Sequence, residues 1–94
     1  MIEIRIITTE GCEGCKIMNK ICTSAATQIN NSRKVNDVVV IDFDFREEAV
    51  RQFANRYQVK DYPATFIIKN NEVVDRIFGT TTKKDVVDRI ENVI

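Results

Sequence analysis

Apolar and polar positions change period several times along the chain, and each change marks an element. Ile2 to Thr8 is short and β-branched, with consecutive Ile6 and Ile7, the pattern of a buried strand. Thr9 to Gly11 predicts a turn. From Glu13 to Ile29 the period lengthens: Ile17, Met18, Ile21, Cys22, Ala25 and Ile29 recur at spacings that form one helical stripe. Lys16, Asn19, Lys20 and Thr23 fall mostly on the opposite side, and Asn30, Asn31 and Ser32 predict the helix end. Val38 to Phe43 (VVVIDF) predicts a second buried strand. Arg46 to Tyr57 predicts a second helix, with Ala49, Val50, Phe53 and Tyr57 on one face and Glu47 and Glu48 at its positive end.

Val59 to Pro63 predicts a loop, and Ala64 to Ile68 a third strand. Asn70-Asn71 predicts a two-residue hairpin turn, because Asn tolerates positive φ. Glu72 to Phe78 then predicts a fourth strand, antiparallel to the third and broken by Gly79. Lys83 to Val93 predicts a last helix, with Val86, Val87, Ile90, Val93 and Ile94 facing inward. Thr82 is its N-cap, and Asp85 would complete a variant capping box. The order β-α-β-α-β-β-α is an α/β pattern. Its first two strands, joined through a helix, should be parallel with a right-handed crossover. The expectation is one domain over residues 1–94, a four-stranded mixed sheet with helices on both faces. No repeat, low-complexity tract or flexible linker interrupts it.

Charge and composition remove several functions. Fourteen basic and fourteen acidic residues cancel, leaving no footprint for nucleic acid or anionic lipid. No apolar run approaches the roughly 20 residues that span a bilayer. The N-terminus mixes Glu3 and Arg5 into its apolar residues and does not read as a secretory signal, so the expected compartment is cytoplasmic. Three cysteines are too few for a disulfide scaffold. With no histidine, the chain lacks the four ligands of a self-contained structural zinc site. Balanced charge on so small a surface suggests a monomer.

Chemistry concentrates in T-T-E-G-C-E-G-C-K, residues 8 to 16. A C-x-x-C pair can hold a metal, cycle between dithiol and disulfide, or staple a loop. This pair falls between the first predicted strand and the first predicted helix. A helix N-terminus offers unpaired N–H groups and the positive end of the dipole, and both favour a thiolate, the reactive form. Cys12 should lie exposed at the first turn, while Cys15 leads into the buried stripe of Met18 and Cys22. Cys12 would then attack a substrate disulfide and Cys15 would resolve the mixed disulfide. Gly14 would let the two sulfurs approach. Glu10 and Glu13 oppose the helix dipole. They predict a weakly acidified Cys12 and a reducing pair, and could also carry protons or simply be solvated charges. Cys22, among Ile17, Met18, Ile21 and Ala25, reads as a small core hydrophobe, with a regulatory thiol as the alternative. The five phenylalanines, Phe43, Phe45, Phe53, Phe66 and Phe78, read as core, Phe45 being the outlier.

Together the C-x-x-C and the C-terminal stretch YPATFIIKNNEVVDRIFGTTTKKDVVDRI resemble the thioredoxin family over nearly the whole chain. The start is similar to glutaredoxins, because the chain begins at the strand preceding C-x-x-C, which implies the minimal four-stranded version of the fold. By this resemblance Pro63 is the family's cis-proline beside the sulfurs. Tyr62 would offer its backbone to an extended substrate, and Gly79 would line the same groove. Several positions depart from the family. Gly11 stands where thioredoxins usually carry Trp, Glu13-Gly14 fills the motif, and Ile6 stands where they carry a buried acid. That departure leaves water, Glu10 or Glu13 to move the proton of Cys15. Asp61-Tyr62-Pro63 and Gly79-Thr80 replace the glutathione-reading motifs of glutaredoxins.

The reading that follows is a thiol–disulfide oxidoreductase acting on a disulfide-containing protein or a small-thiol substrate. It would carry no organic cofactor and take electrons from a separate reductase or a thiol pool. The alternatives are a metal or iron–sulfur binding module and a non-catalytic interaction module of the same fold.

Overall fold

The computed structural model describes residues 1–94. The elements are β1 (Ile2–Thr8), α1 (Glu13–Arg33), β2 (Val38–Asp44), α2 (Glu48–Arg56), β3 (Ala64–Lys69), β4 (Glu72–Phe78) and α3 (Lys83–Val93). They build one four-stranded sheet in the order β2-β1-β3-β4. β1 and β2 are parallel, with Ile2 opposite Val38 and Thr8 opposite Asp44. β3 runs antiparallel to both β1 and β4.

Alternation along the strands sorts the core into two layers. Ile2, Ile4 and Ile6 of β1 pack with Met18, Cys22, Ala25 and Ile29 of α1 and with Val86, Val87 and Ile90 of α3. On the other face Ile7, Ala64, Phe66 and Ile68 meet Val50 and Ala54 of α2. The first layer is aliphatic. The second is rimmed by aromatic rings, among them Phe53 edge-on to Phe66 at 4.9 Å and Phe45 edge-on to Tyr62 at 5.2 Å. Of the five phenylalanines only Phe66 is fully buried; the rest are partly covered.

Both ends of the fourth strand and of the last helix fall where the sequence places them. Asn70 and Asn71 turn the hairpin at φ 53° and 67°, the paired positive values of a type I′ turn. A register shift between Ile67 and Ile68, with no signal in the sequence, interrupts the β3–β4 pairing.

Elsewhere the sequence reading needs correction. α1 runs through Asn30, Asn31 and Ser32 to Arg33. The Asn30 side chain does not compete with its own backbone, because its amide exchanges hydrogen bonds with the N–H and C=O of Val38 at 3.1 and 2.9 Å. The helix stops one turn later, where Lys34 takes φ 55° and Val35 N–H bonds Asn30 C=O, a Schellman-type closure. α2 starts two residues late. The Asp44 carboxylate accepts the Arg46 N–H at 2.8 Å and Asp44 C=O accepts the Glu47 N–H, so a turn occupies the expected first residues.

The inward face of α2 is Val50 and Ala54, not Ala49, which is exposed. Ile17 and Ile94 are also exposed, at 51% and 45%. The stripe of α1 passes through Cys15, Met18, Cys22, Ala25 and Ile29 and leaves Ile17 to one side. β2 lies at the sheet edge, so only Val38 in it is buried. Thr82 caps α3 by accepting the Asp85 N–H at 3.1 Å. The capping box is not closed, because the Asp85 carboxylate takes the Thr81 hydroxyl and Arg89 instead. Those bonds, the Thr81 hydroxyl first, hold the Asp85 carboxyl below its usual range.

The longest extent of the molecule is 36 Å, and the 21-residue α1, about 32 Å long at 1.5 Å per residue, runs nearly all of it. One end holds the start of that helix. At the other, Met1, Arg33, Asp37 and Ile94 line a shared groove.

Candidate functional site: a disulfide at a helix N-terminus

The turn from β1 into α1 fixes the site. Gly11 has φ +71°, a left-handed conformation that strains residues with a side chain. A Cβ there would meet nothing within 4 Å, so the glycine serves the turn and not the space. Cys12 follows as N-cap of α1, with extended φ and ψ. Its Sγ accepts the Cys15 N–H at 3.0 Å. A sulfur thus does what a Ser or Asp oxygen does at most helix starts. That N–H points at the Cys12 sulfur and favours negative charge on it.

Cys12 and Cys15 are joined as a disulfide, with Cα atoms 5.3 Å apart. Cys12 is partly exposed, whereas Cys15 is 3% exposed. The arrangement matches the predicted division between an outer and an inner sulfur.

Against Gly14, between the two cysteines, lies Pro63, fully buried after a cis Tyr62–Pro63 bond. Its contact with α1 explains Gly14. A Cβ on Gly14 would come within 3.2 Å of both Pro63 Cδ and Thr80 Cγ2. The glycine therefore lets the proline loop come close to the helix start. Gly79, at φ +86°, donates its N–H to Pro63 C=O at 2.8 Å. It sits behind the proline, and the side chain that reaches the helix from this loop is that of Thr80. Tyr62 takes part in none of the backbone hydrogen bonds outside the helices and strands. Its ring packs on Phe45, and partial burial raises its hydroxyl pKa.

The two flanking acids are exposed. Glu13 is exposed and lies 3.8 Å from Lys16 Nζ. Glu10 lines a separate groove with Asp44 and Arg46. There the Asp44 carboxylate, by hydrogen bond, and more weakly Glu10, by charge, raise the Arg46 pKa.

A second groove, of about 510 Å³, opens on the disulfide itself. Thr8, Gly11, Cys12 and Cys15 line it, together with Lys16, Asn19 and Lys20 from α1 and Asp42 from β2. Asn19 donates to both Asp42 oxygens, at 2.8 and 2.7 Å. Sequence reading missed this wall. One signal was present: Val38 and Val40 pack against the α1 layer, and Asp42 continues the same alternation with a carboxylate. No group of three or more Cys, Asp or Glu side chains is placed to hold a metal ion. No helix is long and apolar enough to cross a membrane.

Disulfide, helix start and cis-proline loop together define a thioredoxin-type domain. A family model described as Thioredoxin matches residues 7–92, and the chain belongs to the thioredoxin family. Among solved structures it is similar to one titled as a malarial protein, at 13% identity and a TM-score of 0.74, covering 98% of this chain and 96% of that one. It is also similar to thioredoxin-2 of the malaria parasite, described as a component of protein secretion machinery. The match has 13% identity and a TM-score of 0.70, covering 98% of this chain and 82% of that one. At such identity the likeness speaks for the fold alone. No curated protein matches the chain.

Proposed function

We propose that the protein is a thiol–disulfide oxidoreductase that reduces disulfides with the Cys12–Cys15 pair. The observation that carries the reading is a partly exposed Cys12 bonded to a buried Cys15 at the N-terminus of α1, in a chain of the thioredoxin family. In the reduced form Cys12 is the attacking thiolate, supported by the Cys15 N–H and the helix start. It forms a mixed disulfide and expels one substrate thiolate. Cys15 then attacks Cys12 Sγ, the second substrate thiolate leaves, and the Cys12–Cys15 bond closes. Two electrons pass from the pair to the substrate, and a separate reductase or a thiol pool restores them.

Pro63 and Tyr62 form the platform beside the sulfurs. The free backbone of Tyr62 suits an extended substrate strand. Gly11 and Gly79 shape the turns around that platform, and Gly14 keeps it close to the helix.

The test is a redox titration in graded dithiothreitol buffers, counting alkylated thiols by mass spectrometry, alongside turnover of a protein disulfide. The expected result is a reversible two-electron couple in the reducing range of thioredoxin, about −270 mV, with turnover. A protein that forms no Cys12–Cys15 disulfide at any poise would overturn the reading.

A further inference from the structure

The inner sulfur raises a physical problem. Cys15 is 3% exposed, and burial disfavours the thiolate that must attack the mixed disulfide. Its proton has to leave through whatever opening remains. That opening is the 510 Å³ groove, which holds many waters at about 30 Å³ each. The charged groups facing this space are Lys16 and Lys20 from α1 and Asp42 from β2; β1 contributes only the Thr8 hydroxyl. Asp42 is therefore the one carboxylate on the wall that Cys15 shares. Glu10 lines the other groove, and Glu13 is exposed beside Lys16.

Position reinforces the point. Asp42 pairs with Ile6 across the β1–β2 ladder and follows Val38 and Val40 on the face turned toward α1. It is held there by Asn19, one helical turn beyond Cys15. Its charge also reaches inside α1, where it adds to burial in raising the pKa of Cys22.

From this we infer that Asp42 is the proton acceptor that serves Cys15 in the resolving step. The inference rests on the oxidoreductase reading above. The Cys15 S–H proton passes through groove water to the Asp42 carboxylate as the Cys15 sulfur attacks Cys12 Sγ. The bond between Cys12 and the substrate sulfur breaks, and that sulfur leaves as a thiolate. The proton on Asp42 then goes to the departing thiolate or to solvent. The transfer moves one negative charge across the groove and does not create a second beside the first. Lys16 and Lys20 offset the charge at the groove mouth.

A chromogenic nitrothiobenzoate disulfide separates the two steps in stopped flow. The first equivalent of coloured thiolate reports attack by Cys12, and the second reports resolution by Cys15. Asp42→Asn should lower the ratio of second to first rate roughly tenfold or more near neutral pH. Its second phase should climb with pH where that of the unsubstituted protein has levelled, and Asp42→Glu should restore it. Asn19→Ala loosens the clamp yet keeps the carboxylate, so its second-phase pH profile should stay close to the unsubstituted one. An Asp42→Asn protein with unchanged ratio and profile overturns the inference. So does an Asn19→Ala protein that matches Asp42→Asn, because the clamp would then explain the loss. If the unsubstituted protein releases only one equivalent, the oxidoreductase reading fails first and this step falls with it.

Discussion

Cys15 and Cys22 stand two turns apart on one stripe of α1, and both are shielded, at 3% and 0% exposure. Cys15 lies in the first helical turn, where backbone N–H groups have no partner inside the helix. It opens on the groove lined by Lys16, Asn19, Lys20 and Asp42 and is bonded to Cys12. Cys22 lies where every amide is already used and its neighbours are Met18, Ala25 and Val86. Burial, with the charge of Asp42 added, pushes its thiol up to about 12. Equal burial thus accompanies opposite chemistry. Axial position along the helix, not depth, separates the surroundings of the two sulfurs.

The largest effect should come from exchanging the sulfurs of the first turn. Cys12→Ser should abolish turnover, Cys15→Ser should halt after one mixed disulfide, and Cys22→Ala should turn over like the unsubstituted protein. A disulfide-reduction assay and intact-mass analysis read all three. Loss of turnover in Cys22→Ala would break the comparison. Next in size, Cys22→Ser buries a hydroxyl in the aliphatic layer and should cost about 1–3 kcal/mol in urea unfolding, nearer the low end if it bonds back to the Met18 carbonyl.

A smaller effect follows from pH. The folded pKa of Cys22 is raised from 9.0 to about 12, so folding holds a proton that the unfolded chain gives up. The corresponding stability is intact below 9.0 and declines as pH rises toward 12, by up to about 1.4 kcal/mol per unit. Unfolding curves between those limits should fall more steeply for the unsubstituted protein than for Cys22→Ala. Equal slopes would show that the thiol is not held protonated. The smallest effect on stability belongs to Gly14→Ala. Its helix-propensity gain of about 1 kcal/mol opposes the contacts at 3.2 Å with Pro63 and Thr80. Its melting temperature should hardly change while turnover drops, since Pro63 and Thr80 must give way by a few tenths of an ångström beside the two cysteines.

Legibility from sequence followed the range of the cause. The hairpin at Asn70-Asn71 and the capped α3 were readable because a few adjacent residues determine each. The disulfide site was readable because motif and helix start coincide. The end of α1 was not, since Asn30 looks like a terminator until its amide is seen clamping Val38. Nor was the edge position of β2, because an apolar run does not say how many neighbours a strand will have. Asp42 escaped for the same reason: its place on the groove that Cys15 also lines depends on the parallel register of two strands, and the wall they form with α1 is a tertiary product.

The long axis of α1 has a practical corollary. Met1 and Ile94 line one groove at the end of the molecule away from the disulfide, roughly the full helix length of about 30 Å from it. Tethering through residue 1 or residue 94 to a bead, an electrode or a fused carrier would therefore display the disulfide outward. An immobilised sample should keep its reactivity toward macromolecular disulfides.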